Sequence, residues 1–476
     1  MTKSLNILVL DLGSTHLKAS ILSPDLEILF ENHKKNIRIS TPYYEALDVA
    51  DIGDFIFKAI QDTVDTYSVG DIIISTHGSS LVLVDVQKEF SPFYDSLALP
   101  AMYYGCSIDK NIYQDYIKEA PDFLETFAEV SPLALTGAFQ IFWQSKAWPQ
   151  EFSKTDCIMM WPSYWSFRLS GTICNDYSAL GAQNQIWNPI TNDFSSIIKK
   201  YGWDKLFASA RPSAEPIGLL HPEICKKYNL KNQPNILCGV HDSNANYWRF
   251  VQLGFKDETI LSTGTWIISF NPNLDPKKLE GKSDCCTNTS VQGKPISCSR
   301  YQGGMELSIL LKQMGNIDVD TKIDAHDLKQ ALKSNCYIVP SFASSGGPIA
   351  NTGTQGKIEG ELPKQNNQKY ALAILYSAMM TQISLDYIDV GSQIIIDGPF
   401  TKNPLFLQLI AIFNKNADIY ISNESSGTLF GAAMLSKRAN KPKDSHLEKI
   451  ECSQEYIDLA NEIKAYQKDW LGKIEF

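Results

Sequence analysis

The stretch Leu8-Val9-Leu10-Asp11-Leu12-Gly13-Ser14-Thr15-His16-Leu17-Lys18 decides how the chain is read. An aliphatic run, residues 7–10, ends in an acidic residue. A Gly-Ser-Thr turn follows, and then a second apolar run over 18–22. The pattern predicts strand, turn, strand. Gly13 permits a sharp turn and a close approach of the backbone to a ligand. Successive N–H groups in such a turn can converge on one anion, and Ser14 and Thr15 add hydroxyl donors. Asp11, at the strand end, has the chemistry to orient Mg²⁺ through water, because that ion keeps several of its waters. Lys18 can reach a phosphate as a point charge. Taken alone, the same residues equally describe an ordinary hairpin.

A related pattern recurs at Thr259-Ile260-Leu261-Ser262-Thr263-Gly264-Thr265-Trp266-Ile267-Ile268. Thr263, Gly264 and Thr265 have the composition of a second phosphate turn, with a plain β-turn as the alternative. Two such turns in two halves suggest duplicated domains facing one cleft; two unrelated hairpins would look the same at this length. Further strands are predicted over 72–75, 81–84, 236–240, 259–262, 266–270 and 393–396, and helices over 51–67, 370–390, 404–414 and 426–438. Strands and helices intermix, so the class is α/β. With 476 residues, two large domains are the simplest division.

The formal charge of -10 argues against a general electrostatic grip on nucleic acid or an anionic membrane. An anionic ligand therefore needs a dedicated site. Ten cysteines include no C-x-x-C pair and no zinc-ligand spacing, which reads as reduced thiols in a cytoplasmic protein. The opening residues lack the pattern of a signal peptide, and no apolar stretch approaches membrane-spanning length.

Two more segments carry candidate chemistry. In Gly239-Val240-His241-Asp242-Ser243-Asn244 a carboxylate follows a strand and precedes a helix-compatible stretch. It could accept a proton from a hydroxyl nucleophile, or Asp242 or Ser243 could simply cap a helix. In Asp397-Gly398-Pro399-Phe400-Thr401-Lys402-Asn403-Pro404 a strand ends in a turn that opens a helix. Ligands usually lie at such carboxyl ends, though a routine connection reads the same way.

In this order, the four sites resemble the FGGY carbohydrate kinases, and the resemblance runs over essentially the whole chain. It implies two actin/hexokinase-like (ribonuclease H-like) domains flanking a central cleft. Residues 1–236 would bind sugar and carry the first phosphate turn; residues 237–476 would carry the catalytic base and bind nucleotide. Gly239-Val240-His241-Asp242 is similar to the family's G-x-H/C-D motif, so Asp242 is implied as the base. Asp11, Gly13, Ser14, Thr15 and Lys18 resemble the first phosphate turn, and Thr263, Gly264 and Thr265 the second. Gly398, Asn403 and Gly427 look like the turns around the adenosine. The implied reaction is ATP-dependent phosphorylation of a sugar with Mg²⁺ present. The sugar would lie near His77, Gly78, Tyr103, Tyr104 and His241, with His77 donating to a hydroxyl. A homodimer is common in the family.

The rhamnulokinase and fuculokinase branch looks nearest, through residues 75–85, Thr265-Trp266 and Arg300-Tyr301-Gln302-Gly303-Gly304. The implied acceptor is then a ketose such as L-rhamnulose, L-fuculose or a ketopentose. A non-catalytic sensor, and a kinase for glycerol or another polyol, are the alternatives. Three departures bear on the acceptor and the nucleotide. Gly105 stands at or near a sugar-binding Asp of many relatives. Ser163-Tyr164 replaces an Asp-Tyr pair of xylulokinases, and Asp397-Gly398-Pro399 replaces a Gly-Gly-Gly turn.

Overall fold

The computed structural model describes residues 5–86, 90–131, 133–255, 258–344, 347–422, 424, 426–441 and 447–474. Residues 1–4, part of the segment read against a leader, lie outside the described residues. The chain folds as two compact units. The first comprises Met1–Phe255, Thr287–Pro295 and Ser426–Ser445; the second comprises Lys256–Cys286, Ile296–Ser425 and His446–Phe476. Residues 237–255, downstream of the expected 236/237 boundary, pack with the first unit.

The first unit is built on a mixed seven-stranded sheet. Strands β1 (Asn6–Leu12) and β2 (His16–Leu22) form the predicted hairpin, and β3 (Ile28–Lys35) extends it antiparallel. Strand β1 also pairs in parallel with β4 (Val69–Thr76). Beyond β4 lie β5 (Pro216–Leu219) and β6 (Asn235–Leu237), while the short β7 (Val240–His241) pairs with the end of β4. The middle strands β1 and β4 are almost wholly buried, as their unbroken aliphatic runs require.

Helix α1 (Val49–Thr63) covers this sheet with Ile52, Phe55, Ile56, Ala59 and Ile60 buried. It starts two residues earlier than predicted because Asp48 caps it, its side chain accepting the Asp51 N–H at 3.0 Å. It also ends four residues short of 67. Helix α2 (Trp161–Ser170) is buried on almost every face, and its Trp161 and Trp165 join the α1 core. Helix α3 (Pro222–Tyr228) follows β5.

One predicted strand is broken. Residues 236–240 divide into β6 and β7 at Cys238-Gly239. Gly239 has φ +106°, and a Cβ there would lie 3.0 Å from the carbonyl carbon and Cβ of Pro162. The chain steps sideways at this glycine, and only then does β7 reach the end of β4 and launch α4 (Asp242–Gln252).

The second unit repeats the local plan. Strands β8 (Thr259–Thr263) and β9 (Ile267–Asn271) form an antiparallel hairpin, and β8 pairs in parallel with β11 (Gln393–Asp397). Strand β10 (Pro295–Tyr301) flanks β9, and β12 (Asp418–Ser422) and β13 (Leu447–Lys449) flank β11. Helices α5 (Gly303–Gln313), α6 (Asn366–Tyr387) and α7 (Pro404–Phe413) complete its core. In both units a hairpin with a Gly-Ser/Thr turn lends its first strand to a parallel neighbour. That is the arrangement expected of duplicated domains.

Substituting Gly239→Ala should destabilise the first unit by about 1–3 kcal/mol, the usual scale for a non-glycine residue forced into such backbone. A lowered urea midpoint with an unchanged slope would show it; an unchanged midpoint would show that this step is relaxed.

Candidate active site

Three parallel strand ends converge in the first unit. Asp11 of β1 pairs with Ser75 of β4, and His241 of β7 pairs with Thr76 of β4. The register therefore places Asp11 and the start of α4 beside one another at the carboxyl edge. Lys18 stands opposite Asp11 on β2. Asp11 retains some accessible surface, yet its surroundings desolvate the carboxyl strongly. Burial, and next the charge of Asp242, raise its pKa to about 7, with Lys18 opposing.

Asp242 is the first residue of α4, and the cap position is His241, which makes no side-chain capping bond. The simple-cap reading of Asp242 is thus not what its geometry shows. Its Oδ1 accepts the Ser243 N–H at 2.6 Å and lies 3.3 Å from His241 Nε2. One third of the side chain, 33%, remains exposed, so a hydroxyl can approach it.

A buried network holds His241. Asn244 Nδ2 donates to the Thr289 carbonyl at 2.6 Å, which turns its Oδ1 toward His241 Nδ1 at 2.7 Å. The backbone N–H of His241 donates to Ser178 Oγ at 2.9 Å. Ser178 Oγ in turn donates to Asp176, which also accepts from Ser213 Oγ at 2.8 Å. Burial raises the Asp176 pKa to about 6, and these hydrogen bonds oppose the rise. Ser163, at the position of the expected Asp-Tyr departure, accepts the Asp176 N–H at 2.9 Å. The sequence reading passed over Asp176, Ser178, Ser213 and Asn244. Their only signal was a scatter of small polar residues that fold into one buried cluster.

His77 lies in the same neighbourhood. Its Nδ1 is 2.9 Å from the Gly78 carbonyl oxygen. A carbonyl only accepts, so Nδ1 carries the proton and the neutral ring presents Nε2 as an acceptor. That Nε2 is buried without a protein partner. The expected donation from His77 to a sugar hydroxyl is therefore reversed: the hydroxyl would donate. Burial pushes the His77 pKa down, Asp242 opposes the shift, and His241 and Arg38 add to it. Gly78 is there for space, since a Cβ would lie 2.6 Å from His241 Nε2.

Tyr103 and Tyr104 join this group. The Tyr104 ring meets His77 edge-on at 5.3 Å and packs against Tyr103 at 5.0 Å. The Arg38 guanidinium, absent from the sequence reading, sits 3.7 Å from the Tyr103 ring centroid. Gly105 is explained by the same stack, because a Cβ there would lie 2.7 Å from the Tyr103 ring. An aspartate at 105 would expel the ring.

The first phosphate-turn candidates, Gly13, Ser14 and Thr15, form the turn between β1 and β2. Asn36 Nδ2 donates to the Gly13 carbonyl at 2.8 Å, and the Asn36 N–H to that of Thr15 at 2.9 Å. Gly13 is needed for close approach, a Cβ being 3.0 Å from the His16 carbonyl oxygen. Gly427 opens helix α8 (Gly427–Ala433), shorter than the predicted 426–438. A Cβ on Gly427 would strike Asn246 of α4, and one on Gly431 would strike the Ala245 carbonyl. These glycines let α8 pack on the helix that begins with Asp242.

In the second unit, Thr263 Oγ1 donates to the Asp397 carbonyl at 2.6 Å and accepts the Phe400 N–H at 3.2 Å. Its hydroxyl proton ties the Asp397–Phe400 turn. Gly398, at φ +93°, leaves no room for a Cβ against the Thr263 carbonyl. Asn403 caps α7 through Phe406 N–H at 3.0 Å and donates to Tyr370 Oη at 3.1 Å. Gly304 packs directly on the Gly264 carbonyl, and Met305 N–H donates to the Thr265 carbonyl at 3.4 Å. Among the described residues no helix is long and apolar enough to cross a membrane, and no disulfide joins the cysteines.

The comparisons agree with this layout. The model of the FGGY carbohydrate kinase N-terminal domain matches residues 6–247, and that of the FGGY C-terminal domain matches 255–445. A carbohydrate kinase structure from Novosphingobium aromaticivorans is 25% identical with a TM-score of 0.85, over 99% of this chain and 98% of that one. A ligand-bound xylulose kinase from Lactobacillus acidophilus shares 16% identity and a TM-score of 0.75, over 98% of each chain. A Plasmodium falciparum glycerol kinase with ADP shares 13% and 0.76, over 99% of each. The last two likenesses show the fold alone. No curated protein matches the sequence. Fold and family models together define a two-domain α/β sugar kinase, a phosphotransferase. The chain belongs to the FGGY family of carbohydrate kinases, whose phosphoryl donor is ATP.

Two outcomes are expected. Gly78→Ala should push the His241 ring aside and cut turnover by roughly 10-fold or more, with little change in the thermal midpoint. Steady-state kinetics beside a melting curve would separate the two effects. Asp11 is protonated more readily folded than unfolded, so its contribution to stability is present below pH 3.8 and lost as pH rises through about 7. Asp11→Asn should accordingly raise Tm over the parent above pH 7, the gain shrinking toward pH 5, in melts without divalent cations.

Proposed function

We propose that the enzyme transfers the γ-phosphoryl group of ATP to a terminal hydroxyl of a ketose, with Asp242 as the base. The observation that carries this reading is the placement of Asp242. It opens a helix at a strand end, near Asp11 and His77, with its carboxylate partly exposed. Phosphoryl transfer asks little of the protein beyond a proton acceptor, positioning and charge neutralisation. Asp242 accepts the hydroxyl proton as the new O–P bond forms. His77 Nε2 accepts a hydrogen bond from another sugar hydroxyl and so orients the acceptor, with Gly78, Tyr103, Tyr104 and His241 shaping its surroundings.

Gly13, Ser14, Thr15 and Lys18 are assigned to phosphate. In the second unit the phosphate contact falls to Gly264 and Thr265, because the Thr263 hydroxyl proton is engaged. Gly398, Asn403 and Gly427 are assigned to shaping the nucleotide site through backbone and packing. In this reading residues 1–236 recognise sugar, and 237–476 supply the base and bind nucleotide.

The residues fit Mg²⁺. Asp242 makes the Asp11 charge costly, and a divalent cation relieves such repulsion. Mg²⁺ keeps most of its waters when bound. Asp11 would hold it through water. When bound, the ion neutralises charge on the phosphate oxygens.

The rhamnulokinase and fuculokinase branch remains the proposed placement, on residues 75–85, Thr265-Trp266 and Arg300–Gly304. Cytoplasmic location and a homodimer belong to this reading by analogy with the family.

Asp242→Asn should lower turnover by roughly 10² or more while leaving ATP binding nearly intact. Full activity in that variant would remove Asp242 from the base position. ADP release measured with L-rhamnulose, L-fuculose, ribulose, xylulose and glycerol should peak on a ketose; a maximum on glycerol would reassign the acceptor.

A further inference from the structure

The first unit holds a cavity of about 330 Å³ lined by α1, α2, α3 and residues 93–95. None of its lining residues belongs to the site described above. Its floor contains Arg168, which is only 3% exposed. Arg168 Nε donates to the Pro92 carbonyl at 2.7 Å and Nη1 to Tyr164 Oη at 3.0 Å. Both acceptors are neutral. Nη2 makes no hydrogen bond, and no carboxylate lies within ion-pair distance among the described residues. The rings of Phe57, Tyr164 and Trp165, 5.8, 5.7 and 5.2 Å from the guanidinium carbon, compensate in part. Buried charges are ordinarily paired, so this cation is left short of an anion.

Two further observations point into the same space. Lys227 lines the cavity with its ammonium 3.7 Å from the Phe93 ring centroid, and among the described residues it too has no carboxylate at ion-pair distance. Gly53 sits inside α1, where glycine weakens a helix. Packing does not require it: an added Cβ would meet Phe57, Arg168 Nη2 and Trp165 at 3.7, 3.8 and 3.8 Å, ordinary contacts. The missing methyl leaves open the space in front of Nη2.

Charge selects the kind of anion. Asp54 and Asp95, both exposed, line the same cavity. A dianion would be repelled by them. A monoanion satisfies Arg168 and Lys227 at less cost. The rings of Phe57, Phe93 and Tyr228 offer an apolar wall. We propose that this cavity binds a small monoanionic carboxylate with a flat apolar body, its carboxylate on Arg168 and Lys227 and its body against the rings.

Benzoate titrated into the full chain, followed by ligand-observed NMR, tests this, with inorganic phosphate as the parallel probe. Saturable benzoate binding is expected with a dissociation constant on the order of 1 mM or tighter, as for a small fragment. Phosphate should bind at least about 10-fold more weakly. Gly53→Ala should weaken benzoate binding by roughly 10-fold and leave the circular dichroism spectrum unchanged and Tm equal or higher. Arg168→Lys should weaken binding in the same direction. No saturable benzoate binding, phosphate binding as tight as benzoate, or undiminished benzoate binding in folded Gly53→Ala would each overturn the proposal.

Discussion

Two carboxylates at neighbouring strand ends set the terms for the first unit. Burial, and next the charge of Asp242, make the Asp11 charge hard to hold. A chain selected only for stability would replace one of them. Their retention side by side marks the place where the fold accepts a local cost, as sites for charged ligands commonly do. The surrounding architecture makes the conflict tolerable without removing it. Lys18 stands across from Asp11, and the helix that starts at Asp242 presents its positive end to the carboxylate.

The position of Asp242 is fixed from behind by a chain of buried polar contacts. Asp176 gathers Ser178 and Ser213, Ser178 takes the His241 N–H, and Asn244 orients the His241 ring. Each link spends a donor or an acceptor that would otherwise be buried unsatisfied. On the far side, small residues at Gly427 and Gly431 allow α8 to press on α4. The result is a carboxylate held by rigid elements, with its free edge left to solvent.

The hairpins were legible because strand alternation and turn composition are local properties. Residues 7–22 and 259–270 fold as their patterns require, and both hairpins meet a parallel neighbour in the same way. The break at Gly239 was not legible. A five-residue apolar run reads as one strand, and only the contact with Pro162 shows why the chain must step aside. The same holds for Thr263. Its hydroxyl looked available in sequence, and a carbonyl 134 positions away claims it. Likewise His77 was read as a donor, and the neighbouring Gly78 carbonyl makes it an acceptor.

By itself the sequence determined the class of the fold, the two Gly-Ser/Thr turns and the identity of the carboxylates worth watching. These follow from short-range rules of periodicity, turn chemistry and strand ends. Tertiary structure alone decided which hydroxyls and ring nitrogens remain unspent, why Gly105 lies against the Tyr103 ring, and that Arg168 is buried with no carboxylate at ion-pair distance among the described residues. The physical reason is that hydrogen-bond satisfaction and desolvation depend on partners distant in the chain. No local pattern specifies where those partners will stand.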